Sequence, residues 1–197
     1  MENISRINKK LLTKTKEYYK LKQYNIFHQT ISLIISQKIS FASSKKIRSE
    51  LFKNISPDNE FTRENISKIS KSKMFDIGID ENKYDVILTI INLGDCDDDD
   101  WINQISNIKG IGPWTIKCLE IMFDISNDLF LYEDLWIRKR LSELISSDVI
   151  LSKKECNQIS LHWKGYRTNV SKFFWRIKPE GITAFKNGEN LDENHFL

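Results

Sequence analysis

The sequence predicts an all-α fold, and three observations support this prediction. Apolar residues recur at helical spacing along almost the whole chain of 197 residues. No stretch shows the sustained two-residue alternation that is typical of a half-buried strand. The breaks between periodic stretches carry turn-forming residues, for example Ser56-Pro57-Asp58 and Ser146-Ser147-Asp148.

Each periodic stretch has an apolar face that a helix would pack against a neighbour. The predicted helices lie near residues 11–21, 26–36, 42–53, 64–70, 83–93, 98–107, 114–124, 135–145, 153–163 and 167–177. Residues 178–197 contain Pro179, Gly181 and Gly188 among many polar residues, and we expect them to form a poorly ordered tail.

The amino-acid composition and the charge indicate which broad class of protein the chain belongs to. A hydrophobic content of 40% is ample for a buried core, and a net charge of +3 fits a nucleic-acid binder without proving one. The three cysteines are widely spaced, which predicts neither a disulfide framework nor a metal quartet and indicates a reducing compartment. No apolar run approaches the roughly 20 residues that span a bilayer. The lysine-rich start lacks the apolar core of a secretory signal, so we expect an intracellular protein.

The most informative stretch is residues 108–115, Ile-Lys-Gly-Ile-Gly-Pro-Trp-Thr. Gly110 and Gly112 can adopt positive φ and let another backbone approach closely. Pro113 presets φ for a first helical turn, and apolar residues continue from Trp114 along one helical face. A helical pattern also precedes the stretch, so the residues predict a helix, a hairpin and a second helix.

Such a hairpin would present backbone amides at a helix N-terminus, where partial positive charge attracts an anion such as a DNA phosphate. A Gly-x-Gly turn alone is weak evidence, because glycine before a helix often only caps or packs. One helix further on, Asp134 stands alone among apolar residues. It could cap the helix that begins at Leu135, act as a catalytic carboxylate, or do both.

Three segments, in order, resemble the helix-hairpin-helix DNA glycosylase superfamily, and within it the DNA-3-methyladenine glycosylase II branch, the AlkA-type enzymes. The first is residues 34–40, Ile-Ile-Ser-Gln-Lys-Ile-Ser, and the second is the hairpin with Trp114-Thr115. The third is residues 131–140 around Asp134, followed by Trp-Lys-Gly-Tyr-Arg at 163–167 and by Trp175. The resemblance covers about residues 24 to 177.

The resemblance implies an all-α, two-lobed helix-hairpin-helix DNA glycosylase fold. In this fold the two chain ends form one lobe, the middle forms the other, and the active-site cleft lies between the lobes. Residues 1–23 would supply the N-terminal helix of the terminal lobe. Residues 24–177 would form the glycosylase core, with the hairpin near 106–115, and residues 178–197 would form the tail.

The resemblance also implies a monofunctional DNA glycosylase of base excision repair. Such an enzyme flips an alkylated purine, of the 3-methyladenine type, out of duplex DNA and hydrolyses its N-glycosidic bond. Asp134 would stabilise the positive charge that builds on the sugar. Bifunctional relatives carry a nucleophilic lysine two positions after the last hairpin glycine, where this chain has Trp114, so no AP-lyase activity is expected.

Two sets of residues would contact DNA. The base pocket would be lined by Trp114, Trp175 and Cys118, where an electron-poor base stacks on an indole, although tryptophans on helical faces more often pack in a core. Trp101, Trp136 and Trp163 are expected in the core. The residues expected to contact the DNA backbone, or the space that the flipped base leaves in the duplex, are Gly110, Gly112, Thr115, Gln37, Lys38 and Ile39.

The expected partner is duplex DNA that contains damaged bases, bound by a monomer wherever the genome lies, in nucleus, nucleoid or cytoplasm, and not at a membrane. The hairpin carbonyls of Ser106, Ile108 and Ile111 are candidates to bind a structural Na⁺ or K⁺ ion. No catalytic metal, iron–sulfur cluster or organic cofactor is expected.

Two alternatives stay open. The substrate could be another damaged or mismatched base, because Cys118 replaces an aromatic residue of the relatives and would reshape the pocket. The chain could also be a non-catalytic DNA-binding or damage-sensing module. Cys118 and Lys38 depart from the family pattern and leave room for that reading, while Asp134 argues against it.

Overall fold

The computed structural model of the chain describes residues 2–7, 25–55, 60–93, 98–126 and 128–196. Within these ranges the regular structure is helical, apart from an isolated antiparallel bridge between Ile177 and Phe196. The predicted all-α class is therefore confirmed. None of the helices in the described ranges combines the length and the apolarity that a membrane crossing requires.

The chain divides into two compact units, as the two-lobed fold predicts. The terminal lobe comprises Met1–Lys22 and Glu120–Leu197, and the central lobe comprises Gln23–Leu119. The helices that begin in the central lobe are α2 Ile26–Ser36, α3 Phe41–Ile55, α4 Arg63–Ser67, α5 Lys71–Asp76, α6 Glu81–Ile91, α7 Asp98–Ser106 and α8 Pro113–Met122. Those of the terminal lobe are α1 Glu2–Arg6, α9 Leu135–Leu144, α10 Lys153–Ser160, α11 Arg167–Arg176 and α12 Pro179–Asn187.

The central lobe is built around α2, which packs against α3 and α6. Its apolar residues are almost completely buried, among them Ile31, Ile34 and Ile35 at 0% exposure. The helix begins at a side-chain cap, because Oδ1 of Asn25 accepts the His28 amide at 2.9 Å.

The core of the terminal lobe is aromatic. Helix α9 packs against α11 and α12, and the rings of Phe173, Phe174 and Phe185 on the latter two helices meet edge to face. Trp163 joins this cluster, and its indole Nε1 donates to the Ile4 carbonyl at 3.2 Å. Helix α1 is thereby attached to the lobe by a residue 159 positions away.

Most helix boundaries fall within two or three residues of the predicted ones, but three helices in the described ranges, α1, α5 and α12, were not predicted. Helix α5 has six residues and buries only Met74, so its apolar periodicity is too short to detect. The predicted helix at 11–21 lies outside the described residues.

The prediction of a poorly ordered tail at 178–197 is wrong. Pro179 occupies the first turn of α12 and Gly188 ends it in a left-handed conformation, so both residues mark helix limits. Ile182 and Phe185 bury the inner face of the helix. The last described residue, Phe196, is 5% exposed and packs against Phe173.

Candidate functional site

The hairpin joins α7 to α8, and its shape depends on Gly110. Gly110 has φ +102°, and a Cβ atom there would lie 2.6 Å from Cγ2 of Val86, so neither the conformation nor the space suits another residue. Of the two hairpin glycines, only Gly110 has a positive φ. As predicted, Pro113 begins α8.

At the start of α8 the Gly112 carbonyl has partners within the protein, whereas two backbone amides of the hairpin have none in the part of the chain that the structure describes. The Gly112 carbonyl accepts the amides of Thr115 at 3.0 Å and Ile116 at 3.3 Å. Among the described residues, no protein acceptor takes the amides of Gly110 and Gly112. Both amides are therefore able to donate to water or to an external anion.

Gln37, at the end of α2, braces this hairpin from behind. Its Nε2 donates to the Gly110 carbonyl at 3.1 Å and to Oγ1 of Thr115 at 3.0 Å. The Thr115 side chain is 1% exposed, so it faces the protein interior. The geometry thus gives Gln37 and Thr115 a bracing role, while their predicted contact with DNA stays a prediction.

Lys38 and Ile39 form the turn that follows Gln37. Lys38 is exposed and has φ +58°, a conformation that side chains other than glycine rarely adopt, and Ile39 is half-buried. Behind the turn, the Nζ of Lys83 donates to the Ile35 carbonyl at 3.0 Å. Burial lowers the pKa of Lys83, whose side chain closes the C-terminal end of α2.

The tryptophans and Cys118 separate into two environments. Trp114 and Trp175 are half-buried, whereas Trp101 and Trp163 are 2% exposed and lie in the cores as predicted. Trp136, predicted in the core, is 36% exposed, and the Arg140 guanidinium lies 4.0 Å from its ring centroid. Cys118 is completely buried, which is the packing of a core residue. Its part in a base pocket stays a prediction.

Asp134 stands immediately before α9 and caps it. Its Oδ1 accepts the Ile137 amide at 3.0 Å, and its carbonyl accepts the Arg138 amide at 3.1 Å. The residue is 8% exposed, which is unusual for an aspartate. The predicted cap is confirmed, and it fixes the orientation of a largely buried carboxylate.

The N-terminus of α11 is capped from a distant part of the chain. Oδ1 of Asp128 accepts the amides of Gly165 at 2.9 Å and Arg167 at 3.2 Å. The Arg167 guanidinium faces the same carboxylate, with Nε 2.9 Å from Oδ1 and Nη2 2.9 Å from Oδ2. This forked hydrogen bonding by Arg167 lowers the pKa of Asp128. Tyr166, at the cap position of α11, provides no side-chain cap.

Two hydroxyls of α11 extend this contact towards Asp134. Oγ1 of Thr168 accepts the Leu129 amide at 3.0 Å. One turn later, Oγ of Ser171 accepts the Leu131 amide at 3.0 Å and lies 3.0 Å from the Leu129 carbonyl. The Leu131 carbonyl then accepts the Asp134 amide at 3.2 Å. Hydrogen bonds therefore connect the first turns of α11 to the residue that caps α9.

The candidate cation site is only partly tested by geometry. The Ile108 carbonyl already accepts the Ile111 amide at 3.0 Å, so one of the three candidate ligands has an internal partner. Within the ranges that the structure describes, no group of three His, Cys, Asp or Glu side chains is arranged to hold a metal ion.

Comparison with known proteins adds a sequence relative. No protein-family model matches the chain. A DNA-3-methyladenine glycosylase of Saccharomyces cerevisiae is 26% identical over 174 residues, which cover 79% of this chain and 58% of that protein. The chain thus spans less than two thirds of the length of this curated relative.

Solved structures share the fold. A Schizosaccharomyces pombe 3-methyladenine DNA glycosylase in complex with abasic DNA has a TM-score of 0.69 at 23% identity, covering 88% of this chain and 93% of that one. An Archaeoglobus fulgidus 3-methyladenine DNA glycosylase has a TM-score of 0.68 at 20% identity, covering 87% and 66%. A Bacillus halodurans DNA-3-methyladenine glycosidase has a TM-score of 0.59 at 17% identity, covering 95% and 91%.

The chain shares the fold of these solved DNA glycosylases. Its candidate residues form two groups that the structure assigns to different lobes. The hairpin, Gln37 and Trp114 lie in the central lobe, whereas Asp134 and Trp175 lie in the terminal lobe. The active-site cleft that the family implies stays a prediction. The bracing by Gln37 and the Asp128 cap are features that local sequence patterns did not reveal.

Proposed function

We propose that the chain is a monofunctional DNA glycosylase of the AlkA-type branch, which removes alkylated purines of the 3-methyladenine type from duplex DNA. The observation that carries the proposal is the buried carboxylate of Asp134, fixed at the start of α9 in a chain with the glycosylase fold. The name of the yeast relative, DNA-3-methyladenine glycosylase, supports the substrate class.

Asp134 would act by electrostatic stabilisation. Breaking the N-glycosidic bond builds positive charge on the sugar, and a carboxylate held in place before the reaction needs no reorganisation to stabilise that charge. The Ile137 amide holds Oδ1, which fixes the side-chain rotamer. Low exposure strengthens the interaction, because less water screens it. Water then completes hydrolysis at the sugar.

The same proposal excludes strand cleavage by an enzyme amine. Trp114 stands where bifunctional relatives have a nucleophilic lysine, and an indole cannot form a Schiff base. Lys109 lies in the exposed part of the hairpin, five positions before Trp114. The product is therefore an intact strand with an abasic site.

The DNA would be held through its backbone and through the flipped base. The amides of Gly110 and Gly112 are available for a phosphate, and a monovalent cation at the hairpin carbonyls would strengthen that contact. The half-buried indoles of Trp114 and Trp175 would stack on a cationic purine. We propose that a monomer does this without a catalytic metal or organic cofactor, in the cell compartment that holds the genome.

The test measures free methylated purines released from alkylated duplex DNA, with an alkaline step that reveals abasic sites. Wild type should release bases and give strand breaks only after alkali. Asp134→Asn keeps the shape and the cap but removes the charge, and should lower the rate by at least about 100-fold. Asp148→Asn makes the same change at an exposed loop position and should leave the rate unchanged.

DNA binding is measured in parallel on duplexes that contain an abasic site. Asp134→Asn should bind as tightly as wild type, because the hairpin is untouched. Binding without base release by wild type would refute alkylated-purine excision and leave another damaged base or a non-catalytic binding module. Strand breaks before alkali would refute the monofunctional mechanism.

A further inference from the structure

The segment that leads to Asp134 is held by side chains of another element rather than by regular structure. Residues 128–134 belong to no helix, and their backbone amides at Leu129 and Leu131 donate to hydroxyls of α11. Backbone groups that must be satisfied by distant side chains hold their geometry only while those side chains stay in place. The position of Asp134 therefore depends on the position of α11.

The segment 128–134 also fixes the first helical turn of α11. Asp128, at the start of the segment, accepts four hydrogen bonds from Gly165 and Arg167 through two carboxylate oxygens. Gly165 has φ +86°, a conformation that turns the chain between Trp163 and α11 and that glycine adopts at no steric cost. Asp128 and α11 thus lock each other.

We propose that the Asp128–Arg167 pair is a positioning device that sets the catalytic geometry of Asp134 through α11. The proposal rests on the proposed function for its catalytic consequence. Trp175 lies one turn beyond Ser171 on the same helix, so one element carries a candidate base-pocket residue and fixes the approach to Asp134. Neither Asp128 nor Arg167 is assigned contact with the reacting atoms.

This role differs from a DNA contact by Arg167. An arginine that binds a DNA phosphate keeps its guanidinium open to solvent. In Arg167, by contrast, the backbone amide, Nε and Nη2 already donate to Asp128. A bidentate arginine–carboxylate pair provides geometric specificity as well as energy, which is what a positioning role requires.

The test compares Asp128→Asn with Asp124→Asn. The control is matched, because Asp124 pairs with Lys172 on the same α11 helix but makes no hydrogen bond to the described segment 128–134. Asparagine also tolerates the left-handed conformation of Asp124, φ +53°. If Asp128→Asn does not fold, Asp128→Glu replaces it in the test, because this variant keeps the charge and moves the carboxylate by one methylene group.

Single-turnover base release is measured at saturating enzyme and at a temperature where circular dichroism shows every variant folded. Asp128→Asn should slow release by about 10- to 100-fold with an unchanged Kd for DNA, because a displacement of about 1 Å costs that much. Asp124→Asn should match wild type. Arg167→Gln should reproduce the Asp128→Asn rate, and the double variant should be no slower than either single one.

Amide hydrogen exchange supplies a readout that does not need activity. Asp128→Asn should speed exchange at Leu129, Leu131 and Asp134 by at least about 10-fold, while Asp124→Asn leaves them protected. An inactive wild type would refute the proposed function, and exchange would then decide the positioning role on its own. The proposal is overturned if release and exchange stay at wild-type values, or if Arg167→Gln weakens DNA binding and its salt dependence while Asp128→Asn does not.

Discussion

The two helix starts that carry the candidate site are built in opposite ways. Helix α9 begins at Asp134, whose carboxylate accepts an amide of the first turn. Helix α8 begins at Pro113 after a hairpin whose Gly110 and Gly112 amides have no protein acceptor in the described ranges. One start is satisfied internally by the residue proposed for the chemistry, and the other is left for an external anion. The difference shows that a helix N-terminus can either hold a carboxylate of the protein in place or bind an external anion, depending on whether a side chain caps it.

The largest effect on the hairpin should come from Gly110→Ala. The new methyl group would meet Val86 at 2.6 Å in a backbone conformation that alanine disfavours, so the free energy of unfolding should fall by about 3 kcal/mol. Gly112→Ala is the matched control, because nothing lies within 4 Å of its added Cβ. Urea denaturation of both variants measures the difference, and equal losses would contradict the structure.

Gln37→Glu should weaken the hairpin next. The carboxylate cannot donate to the Gly110 carbonyl, so that hydrogen bond is lost, at about 1 kcal/mol, whereas the Thr115 hydroxyl can turn and donate to the carboxylate. Affinity for abasic duplex DNA should fall as well, since the hairpin loses its brace. Gln104→Glu introduces the same charge on an exposed face of α7 and controls for electrostatic repulsion of DNA. Wild-type stability in Gln37→Glu would disprove the bracing role.

At the other helix start, stability and chemistry should separate. Asp134→Ala removes the cap of α9 and should cost about 1 kcal/mol of unfolding free energy, whereas Asp134→Asn should cost only a few tenths. Both variants should lose base release. Denaturation curves and release rates on the same preparations check this, and an Asp134→Ala variant as stable as wild type would contradict the capping geometry.

The smallest effect concerns acid pH. Arg167 lowers the pKa of Asp128, so the unfolded chain binds more protons than the folded one as pH falls below the ordinary aspartate value of about 4. The stability that this pair contributes is present above that pH and is lost as pH falls through the lower folded pKa. Urea midpoints between pH 2 and pH 6 should show a flatter acid slope for Asp128→Asn than for wild type. A parallel slope would mean that the pair contributes nothing.

Local patterns predicted the parts of this site that depend on neighbouring residues. Pro113 begins α8 and Asp134 caps α9 because helix starts are determined within a few positions of the chain. The prediction for Thr115 missed its surroundings, since nothing in the sequence shows that α2 lies behind the hairpin.

Contacts between distant positions were beyond the sequence. Gln37 meets Gly110 across 73 positions, and Asp128 meets Arg167 across 39. Asp128 has a turn-like sequence neighbourhood, and its role as a cap for α11 follows only from the folded chain. The prediction of a poorly ordered tail at 178–197 was wrong for a different reason. Proline and glycine occur at helix ends as well as in loops, and Pro179 and Gly188 mark the two ends of α12.

The cap that Asp134 provides, together with its proposed catalytic role, has an evolutionary consequence. Selection for a stable fold alone favours Asp, Asn, Ser or Thr at this position, because each of these residues caps a helix. A lineage that lost base excision would still be held to this small set, and its first tolerated replacements would be Asn and Ser. An aspartate at the start of α9 in a relative is therefore evidence of ancestry, and only a comparison of aspartate with asparagine in a functional assay shows that the charge is still under selection.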